Sequence, residues 1–334
     1  MLVSNVNYLC YIKKMGMDKE TRRQLLADIA TLYYKEKKTQ SQIAKSFGYS
    51  RSAISRLLNE ALQEGIIEFT INYPLLRDPI LELRLKDKYH LKAAFVINAG
   101  QADYAHTLQM VGRLGARYLE QNLRDGMVVG IGWGTSLYDL VNSLPDLPLS
   151  RVRVVQVIGA SGSKGDARID GPDLAAFLAN KLNASHQFLH SPLFLDSDEA
   201  CKSMKSQKQI RDTLDLANQS DLVLLGVGTI DVDSKYSSLF RSGFINEEEV
   251  LQIKNKGGIG NFCGVIIDNH GSVMDIDINR RVMAVDLHTL RSNGRKMVGV
   301  AAGSRKSKAI EAVLAGGWLD VLITDQSAVK SIAA

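Results

Sequence analysis

Residues 127–136 read MVVGIGWGTS, an apolar run that passes into a glycine-rich turn. A continuous apolar run, rather than an alternating one, is typical of a strand in a parallel sheet that is covered on both faces. A helical pattern follows at 135–143. This strand–turn–helix unit predicts an α/β fold.

The same unit recurs along the chain from residue 93 onward. Strand-like runs lie at 94–97, 127–131, 152–158, 186–189, 221–227, 262–267, 298–302 and 321–324. Helical patterns lie near 105–122, 135–143, 171–183, 206–218, 246–255 and 306–315. We therefore predict a Rossmann-like, doubly wound domain over residues 93–334.

Residues 39–58, TQSQIAKSFGYSRSAISRLL, predict two short helices joined by a turn. Thr39 and Ser50 are good N-caps, and Gly48 ends the first helix. With the amphipathic helix predicted at 19–34, this makes a helix-turn-helix domain over 18–72. A β-branched run at 66–71 predicts a strand, half of a wing. A further helix at 79–90 is predicted within a linker over 73–92.

In a helix-turn-helix, the last helix lies in the major groove and the preceding one crosses the DNA backbone. The candidate DNA-binding residues are Gln40, Gln42, Lys45, Ser50, Arg51, Ser52, Ser55 and Arg56. Arginine can bind guanine bidentately, and Lys and Gln suit phosphates. The alternative is a helical domain with a solvated polar face.

Charge favours DNA binding. Residues 1–72 carry 11 Lys and Arg against 7 Asp and Glu, whereas residues 73–334 carry 30 against 29. A basic excess confined to the helix-turn-helix segment is the footprint of a polyanionic partner. We expect that partner to be double-stranded operator DNA.

Composition excludes several classes of protein. The 334 residues are 45% apolar and 23% charged, values typical of a folded globular chain. No apolar stretch approaches the ~20 residues of a membrane helix, so no membrane partner is predicted. Three scattered cysteines and six histidines show no metal-ligand spacing, which favours a cytoplasmic protein without metal or cofactor. Met17 is a second candidate start of translation, and residues 1–17 are left out of the predicted fold.

Glycine-rich turns end four of the predicted strands, at 130–136, 159–163, 226–229 and 301–306. Ligands of open α/β sheets bind beyond the carboxyl ends of strands, where helix N-termini attract anions. The first turn is GxGxG rather than the GxGxxG of dinucleotide-binding sites, which disfavours a dinucleotide. Gly162–Gly165 lacks the Ser or Thr that follows the lysine of a P-loop, which disfavours ATP. A smaller phosphorylated ligand is therefore predicted, although any single glycine turn can serve geometry alone.

The candidate effector-binding residues are Gly132, Trp133, Gly134, Thr135, Ser136, Gly159, Ser161, Gly228, Arg241, Asp268, Gly303 and Lys306. Thr135 and Ser136 would donate to a phosphate, and Lys306 would supply positive charge. Asp268 would accept hydrogen bonds from sugar hydroxyls, or alternatively form a turn.

Residues 39–44 and 50–58, together with the glycine-rich segments 130–135, 226–229 and 258–264 and the tail 316–325, resemble the SorC family of bacterial sugar-responsive transcriptional regulators. The resemblance runs from about residue 20 to the end. It implies a winged helix-turn-helix joined to a domain similar to sugar-phosphate isomerase and deaminase folds, in a tetramer. It also implies that binding of a phosphorylated sugar changes the affinity of the protein for the operators of carbohydrate-use genes.

At the positions that match the family's motifs, the resemblance implies phosphate contacts for Gly132–Ser136 and Lys306 and a sugar contact for Asp268. Asn261 departs from the family pattern, where Asp is usual, as does Ala301-Ala302-Gly303, where two glycines are frequent. The loop 159–165 lacks an arginine that some members place against a second phosphate, so a bisphosphate ligand is disfavoured.

The leading hypothesis is therefore a regulator of a carbohydrate-utilisation operon that is not an enzyme. A rival is a sugar-phosphate isomerase or deaminase that carries a DNA-binding domain. Such chemistry needs a general acid and base, for which Asp268 and His270 are the nearest pair. A third reading is a repressor whose C-terminal domain only oligomerises.

Overall fold

A computed structural model describes residues 18–67, 75–162, 167–233 and 237–333. The chain divides into two compact units, Met1–Tyr73 and Pro74–Ala334. In the described ranges, no helix has both the length and the apolar character needed to cross a membrane.

The described residues of the N-terminal unit form three α-helices, α1 (Lys19–Ala30), α2 (Gln40–Phe47) and α3 (Arg51–Gln63). Thr39 and Gln42 form a capping box at α2, Gly48 ends that helix in the left-handed region at φ 61°, and Ser50 caps α3. The predicted helices and caps are thus confirmed. One difference is that α1 continues through a π-helical turn, Thr31–Lys35.

The three helices enclose a small apolar core. It consists of Leu25, Leu26, Ile29, Ile43, Ala44, Ile54, Leu57, Leu58 and Ala61. Ile66 and Ile67 follow α3 in a bend and pack against this core. The rest of the strand predicted at 66–71, and with it the wing, lies outside the described residues.

The C-terminal unit is built on a sheet in which the described residues form nine strands. The strands are β1 (Ala93–Ile97), β2 (Val128–Ile131), β3 (Arg153–Gln156), β4 (Ser185–Gln187), β5 (Leu222–Thr229), β6 (Gly260–Phe262), β7 (Val265–Ile267), β8 (Lys296–Val300) and β9 (Val321–Asp325). Seven strands run parallel in the order β1-β9-β8-β5-β2-β3-β4, with Gly130 of β2 in register with Val155 and Val223. The predicted parallel α/β sheet is confirmed.

Helices surround the sheet. They are α4 (Pro79–Tyr89), α5 (Tyr104–Asn122), α6 (Thr135–Ser143), α7 (Gly171–Leu182), α8 (Asp198–Ser206), α9 (Lys208–Asn218), α10 (Ser238–Arg241), α11 (Glu247–Asn255), α12 (Asp277–Arg280), α13 (Leu287–Ser292), α14 (Ser307–Ala315) and α15 (Gln326–Val329). Short 3₁₀ turns, Ala167–Ile169 and Ser304–Lys306, precede α7 and α14. The sequence did not predict α8 or the short helices α10, α12, α13 and α15.

The single strand predicted at 262–267 is wrong. The segment forms a hairpin in which β6 pairs antiparallel with β5 and β7 pairs antiparallel with β6. Cys263 and Gly264 make the turn, both at positive φ (52° and 80°), as a two-residue hairpin turn requires. Because apolar residues flank the turn on both sides, the run looks like one uninterrupted strand.

Helix α4 packs within the C-terminal unit. Leu81 and Leu85 belong to its main core, and the buried carboxylate of Glu82 accepts the backbone N–H of Val96 at 2.9 Å. Arg77 also donates to Glu82, with Nε to Oε1 at 2.7 Å. Helix α4 is therefore anchored to β1 by both apolar packing and polar contacts.

The strand order creates a topological switch point. The chain runs from β2 outward through β3 to β4, and then returns to the other side of β2 and runs outward through β5, β8 and β9. Because parallel crossovers are right-handed, the helices after β2 and β5 leave toward opposite faces of the sheet. A crevice opens at the carboxyl ends of β2 and β5, where ligands of such sheets bind.

Candidate functional site

A cavity lies at this switch point. It is lined by Gly132, Trp133, Gly134, Thr135, Ser136, Leu137, Ile158, Leu225, Gly226, Val227, Gly228, Asn261, Cys263, Gly264 and Lys306. These residues come from the turn after β2 with the start of α6, from the segment after β3, from the end of β5, from the β6–β7 hairpin and from the turn before α14. Five segments of the chain therefore meet at one place.

Helix α6 begins inside the cavity. Its N-cap is Gly134, at φ 123°, and no side chain among the described residues caps the helix. The first-turn N–H groups of a helix have no intrahelical partner, and they carry the positive end of the helix dipole. The nine-residue helix therefore presents open donors to an anion in the cavity.

Lys306 brings positive charge to the same cavity. Its side chain is only 7% exposed, and burial lowers the pKa of its ammonium to about 8. The nearby positive charge of Arg241 lowers this pKa further, whereas the carboxylate of Asp325 opposes the shift. A buried lysine held beside a second cation is stabilised when an anion lies between them.

Two buried polar atoms in the cavity wall lack partners. Ser136 Oγ and Asn261 Nδ2 form no hydrogen bond among the described residues. Asn261 is 8% exposed, so its carboxamide pays a desolvation cost that a bound acceptor would relieve. A Cβ atom at Gly228 would collide with this carboxamide, so a larger residue there requires Asn261 to shift.

Seven of the twelve candidate effector-binding residues line the cavity. They are Gly132, Trp133, Gly134, Thr135, Ser136, Gly228 and Lys306. From the sequence, Asn261 stands out only as a departure from the family pattern and is absent from the predicted site. Its position opposite the glycine turn at Gly228 depends on the hairpin pairing, which the prediction missed.

The other five candidates are not among the lining residues. Gly159 packs against the carbonyl of Pro192, and the backbone N–H of Ser161 donates to Asp170. Gly303 contributes to a separate cavity beside Tyr104. Arg241 lies near enough to act on Lys306 through its charge.

Asp268 is engaged in a turn. Its Oδ1 accepts the backbone N–H groups of His270 and Ser272, both at 2.9 Å. Neither Asp268 nor His270 is among the residues that line the cavity. Among the described residues, no Asp, Glu or His lines the cavity, and no cluster of three such side chains or cysteines could hold a metal.

The candidate DNA-binding residues lie on α2, α3 and their caps. Gln40 and Ser55 are half-buried, and Gln42, Lys45, Ser50, Arg51, Ser52 and Arg56 are exposed. Two of the exposed residues have structural tasks, since Gln42 Oε1 accepts the N–H of Thr39 at 2.9 Å and Ser50 Oγ accepts that of Ala53 at 3.1 Å. Lys45, Arg51, Ser52 and Arg56 remain the exposed polar surface.

An ion pair fixes α3 against α1. Arg22 donates two hydrogen bonds to the carboxylate of Glu60, at 2.8 and 2.5 Å, and this contact lowers the pKa of Glu60. Glu60 is the only acidic side chain of α3. Because it is paired with Arg22, it does not compete with DNA phosphates for the other basic side chains of this unit.

Known proteins match both units. A family model described as "Putative sugar-binding domain" matches residues 74–334, and one described as "Sigma-70, region 4" matches residues 26–64. The deoxyribonucleoside regulator of Bacillus subtilis (strain 168) is 30% identical over 316 residues, covering 95% of this chain and 99% of that protein. The sorbitol operon regulator of Klebsiella pneumoniae is 28% identical over 309 residues, covering 91% and 95%.

The crystal structure of the full-length sorbitol operon regulator SorC from Klebsiella pneumoniae has a similar fold. The TM-score is 0.70 at 27% identity, and the match covers 93% of this chain and 99% of that one. The deoxyribonucleoside regulator and the sorbitol operon regulator thus match this chain over both the helix-turn-helix and the α/β unit. The chain belongs to the SorC family of transcriptional regulators, in which a sugar-binding domain follows a DNA-binding helix-turn-helix.

Proposed function

We propose that this protein is a cytoplasmic transcriptional regulator of a carbohydrate-utilisation operon and that a phosphorylated sugar, bound in the cavity between β2 and β5, controls its binding to operator DNA. The relatives' names, a deoxyribonucleoside regulator and a sorbitol operon regulator, support a carbohydrate-derived effector. We also propose that the active form is a homotetramer, as the resemblance to the SorC family implies.

One observation carries the phosphate assignment. The buried Lys306 lies in a cavity with the uncapped start of α6 and the unpartnered donors of Ser136 and Asn261. This arrangement offers hydrogen-bond donors and positive charge, as a phosphate requires. No carboxylate among the described lining residues opposes an anion.

The same lining argues against an enzyme. Isomerisation or deamination of a sugar phosphate requires a general acid and base within reach of the sugar carbons. The described cavity residues include no carboxylate or imidazole, and the lysine is placed for charge. We therefore propose ligand sensing without turnover.

The test is a binding screen on the full-length protein. Melting temperature and calorimetry would be measured with sugar phosphates, the matching unphosphorylated sugars and inorganic phosphate. We expect one or more sugar phosphates to raise the melting temperature, their dephosphorylated forms to have no effect, and product analysis to find the ligand unchanged. Equal binding of a sugar and its phosphate would contradict the proposal, as would conversion of the ligand.

A matched pair of variants locates the site. Lys306→Gln removes the buried ammonium, whereas Lys308→Gln removes an exposed one two residues away. We expect only Lys306→Gln to abolish the response to the sugar phosphate. If both variants keep the response, the ligand binds elsewhere.

A further inference from the structure

The surface of the helix-turn-helix unit carries unbalanced positive charge. Residues 37–59 include five basic side chains and no Asp or Glu, the five being Lys37, Lys38, Lys45, Arg51 and Arg56. Such a stretch is expected to attract a polyanion. The distribution of ion pairs shows which of these charges are available to it.

Where the structure describes this unit, ion pairs neutralise three of its cations. Arg22 pairs with Glu60, Arg23 pairs with Glu64, and Lys38 pairs with Glu36. In the described part of the unit, the cations without an ion pair are Lys19, Lys35, Lys37, Lys45, Arg51 and Arg56. Lys45, Arg51 and Arg56 belong to α2 and α3, whereas Lys35 and Lys37 belong to the turn that precedes α2.

This turn has an unusual backbone. The π-helical segment Thr31–Lys35 closes with the N–H of Glu36 on the carbonyl of Thr31 at 3.1 Å, and Lys38 N–H donates to the carbonyl of Leu32 at 3.0 Å. Lys37 lies in the left-handed region at φ 58°, which is unfavourable for a residue with a side chain. Strained positions and π-helical turns concentrate at functional sites.

We propose that Lys35 and Lys37 form a phosphate anchor, a pair of cations that grips the DNA backbone beside the site read by α3, irrespective of base sequence. The inference rests on the proposed DNA-binding function. The first helix of a helix-turn-helix crosses the DNA backbone, and the anchor leads directly into Thr39, the N-cap of α2. Lysine suits this task because its ammonium is a point charge without a preferred direction.

The anchor has a distinctive experimental signature. The affinity of the full-length protein for a fluorescent random-sequence duplex would be measured over a range of salt concentrations. The slope of log affinity against log salt is negative, and each lost phosphate contact reduces its magnitude by about 0.9, so K35Q/K37Q should reduce that magnitude by nearly two units. K35R/K37R should restore the wild-type slope, because it keeps both charges. Lys19→Gln, an exposed cation at the opposite end of α1, is the matched control and should leave the slope unchanged.

Two results would overturn the anchor. One is a K35Q/K37Q slope equal to that of the wild type, and the other is an equal loss in Lys19→Gln, which would indicate general electrostatics rather than a local grip. Neither depends on base recognition, which is tested by Arg51→Gln and Arg56→Gln on a duplex selected for tight binding. Loss of selectivity in the arginine variants with an unchanged slope in K35Q/K37Q leaves the proposed function intact and rejects only the anchor.

Discussion

The backbone N–H of Gly303 donates a 2.6 Å hydrogen bond to Oδ1 of Asp325, a carboxylate buried at the end of β9. The other oxygen, Oδ2, accepts both the N–H and the hydroxyl of Ser327. Asp325 thus holds the start of the turn Ser304–Lys306, and its charge also supports the protonated form of Lys306. The geometry and the electrostatics of the cavity therefore depend on one side chain that does not line it.

Replacing this carboxylate should weaken effector binding without touching the ligand. In Asp325→Asn, the pKa of Lys306 falls further below its usual value, so less of the lysine is protonated at neutral pH. We expect several-fold weaker binding of a sugar phosphate by calorimetry. Unfolding free energy should fall by about 1–3 kcal/mol, because the amide of Asn brings a donor to a site where only acceptors fit. Asp268→Asn, in a turn away from the cavity, should leave the affinity unchanged.

Effector binding should depend on pH in a predictable direction. The pKa of Lys306 is about 8 without ligand, and a bound anion raises it, so binding takes up protons as pH approaches 8. Affinity should therefore fall as pH rises through 8. Lys306→Arg keeps the charge over this range and should abolish that fall. A wild-type affinity that is constant from pH 7 to 9 would contradict the placement of Lys306 beside the anion.

The same shift predicts how stability varies with pH. Because the pKa of Lys306 is lower in the folded state than its ordinary value of 10.5, the unfolded state binds more protons between about pH 8 and 10.5. Stability contributed through this group therefore rises with pH across that window. In denaturant unfolding without ligand, the wild type should gain stability relative to Lys306→Met over this range. A pH-independent difference between the two would argue that the ammonium is solvated.

Much of the fold was predictable because its signals are local. Thr39, Gly48 and Ser50 each act within one helical turn, and their roles as caps follow from residue type alone. The apolar strands of the parallel sheet were equally legible, because burial on both faces leaves them continuous. The hairpin at Cys263 and Gly264 was not, since a cysteine at positive φ leaves no recognisable pattern.

The candidate site was only partly predictable, because a site depends on which strand ends become neighbours. Gly132–Ser136 and Lys306 were found from glycine turns and charge. Gly159 and Gly303 come from the same turns as Ile158 and Lys306, which line the cavity, but they face Pro192 and Tyr104 instead. Asn261 was missed as a site residue because it faces the cavity only through the antiparallel pairing of β6 with β5.

Ser50 allows the structural and DNA-binding roles of a single side chain to be separated. Ser50→Ala removes the cap of α3 and should lower the stability of the N-terminal unit by about 1 kcal/mol. Ser50→Asp keeps a capping oxygen but brings negative charge toward DNA phosphates. We expect near-normal thermal unfolding and strongly weakened DNA binding in Ser50→Asp, measured by calorimetry and fluorescence anisotropy. Normal DNA binding by Ser50→Asp would mean that the start of α3 does not face the duplex.

The exposed arginines of α3 should decide operator recognition. Arg51→Ala or Arg56→Ala removes a side chain that can bind a guanine, a contact worth about 1–3 kcal/mol of discrimination. We expect weaker binding to a selected operator duplex, unchanged melting temperature and an unchanged response to the effector. Wild-type affinity in both variants would show that other residues read the bases.

Two glycines of β5 provide a matched test of the cavity wall. A Cβ atom at Gly228 would collide with the carboxamide of Asn261, whereas a Cβ atom at Gly226 would meet its nearest neighbour, the carbonyl of Trp133, at an ordinary 3.4 Å. Gly228→Ala must therefore displace Asn261 from the cavity, while Gly226→Ala is accommodated. We expect both variants to be folded by circular dichroism, and calorimetry to show a larger loss of sugar-phosphate binding in Gly228→Ala than in Gly226→Ala, which also lines the cavity but leaves Asn261 in place. Asn261→Ala, which deletes the buried and unpartnered amide donor, should weaken binding as well. Retention of binding in both Gly228→Ala and Asn261→Ala would place the effector away from the β5–β6 wall.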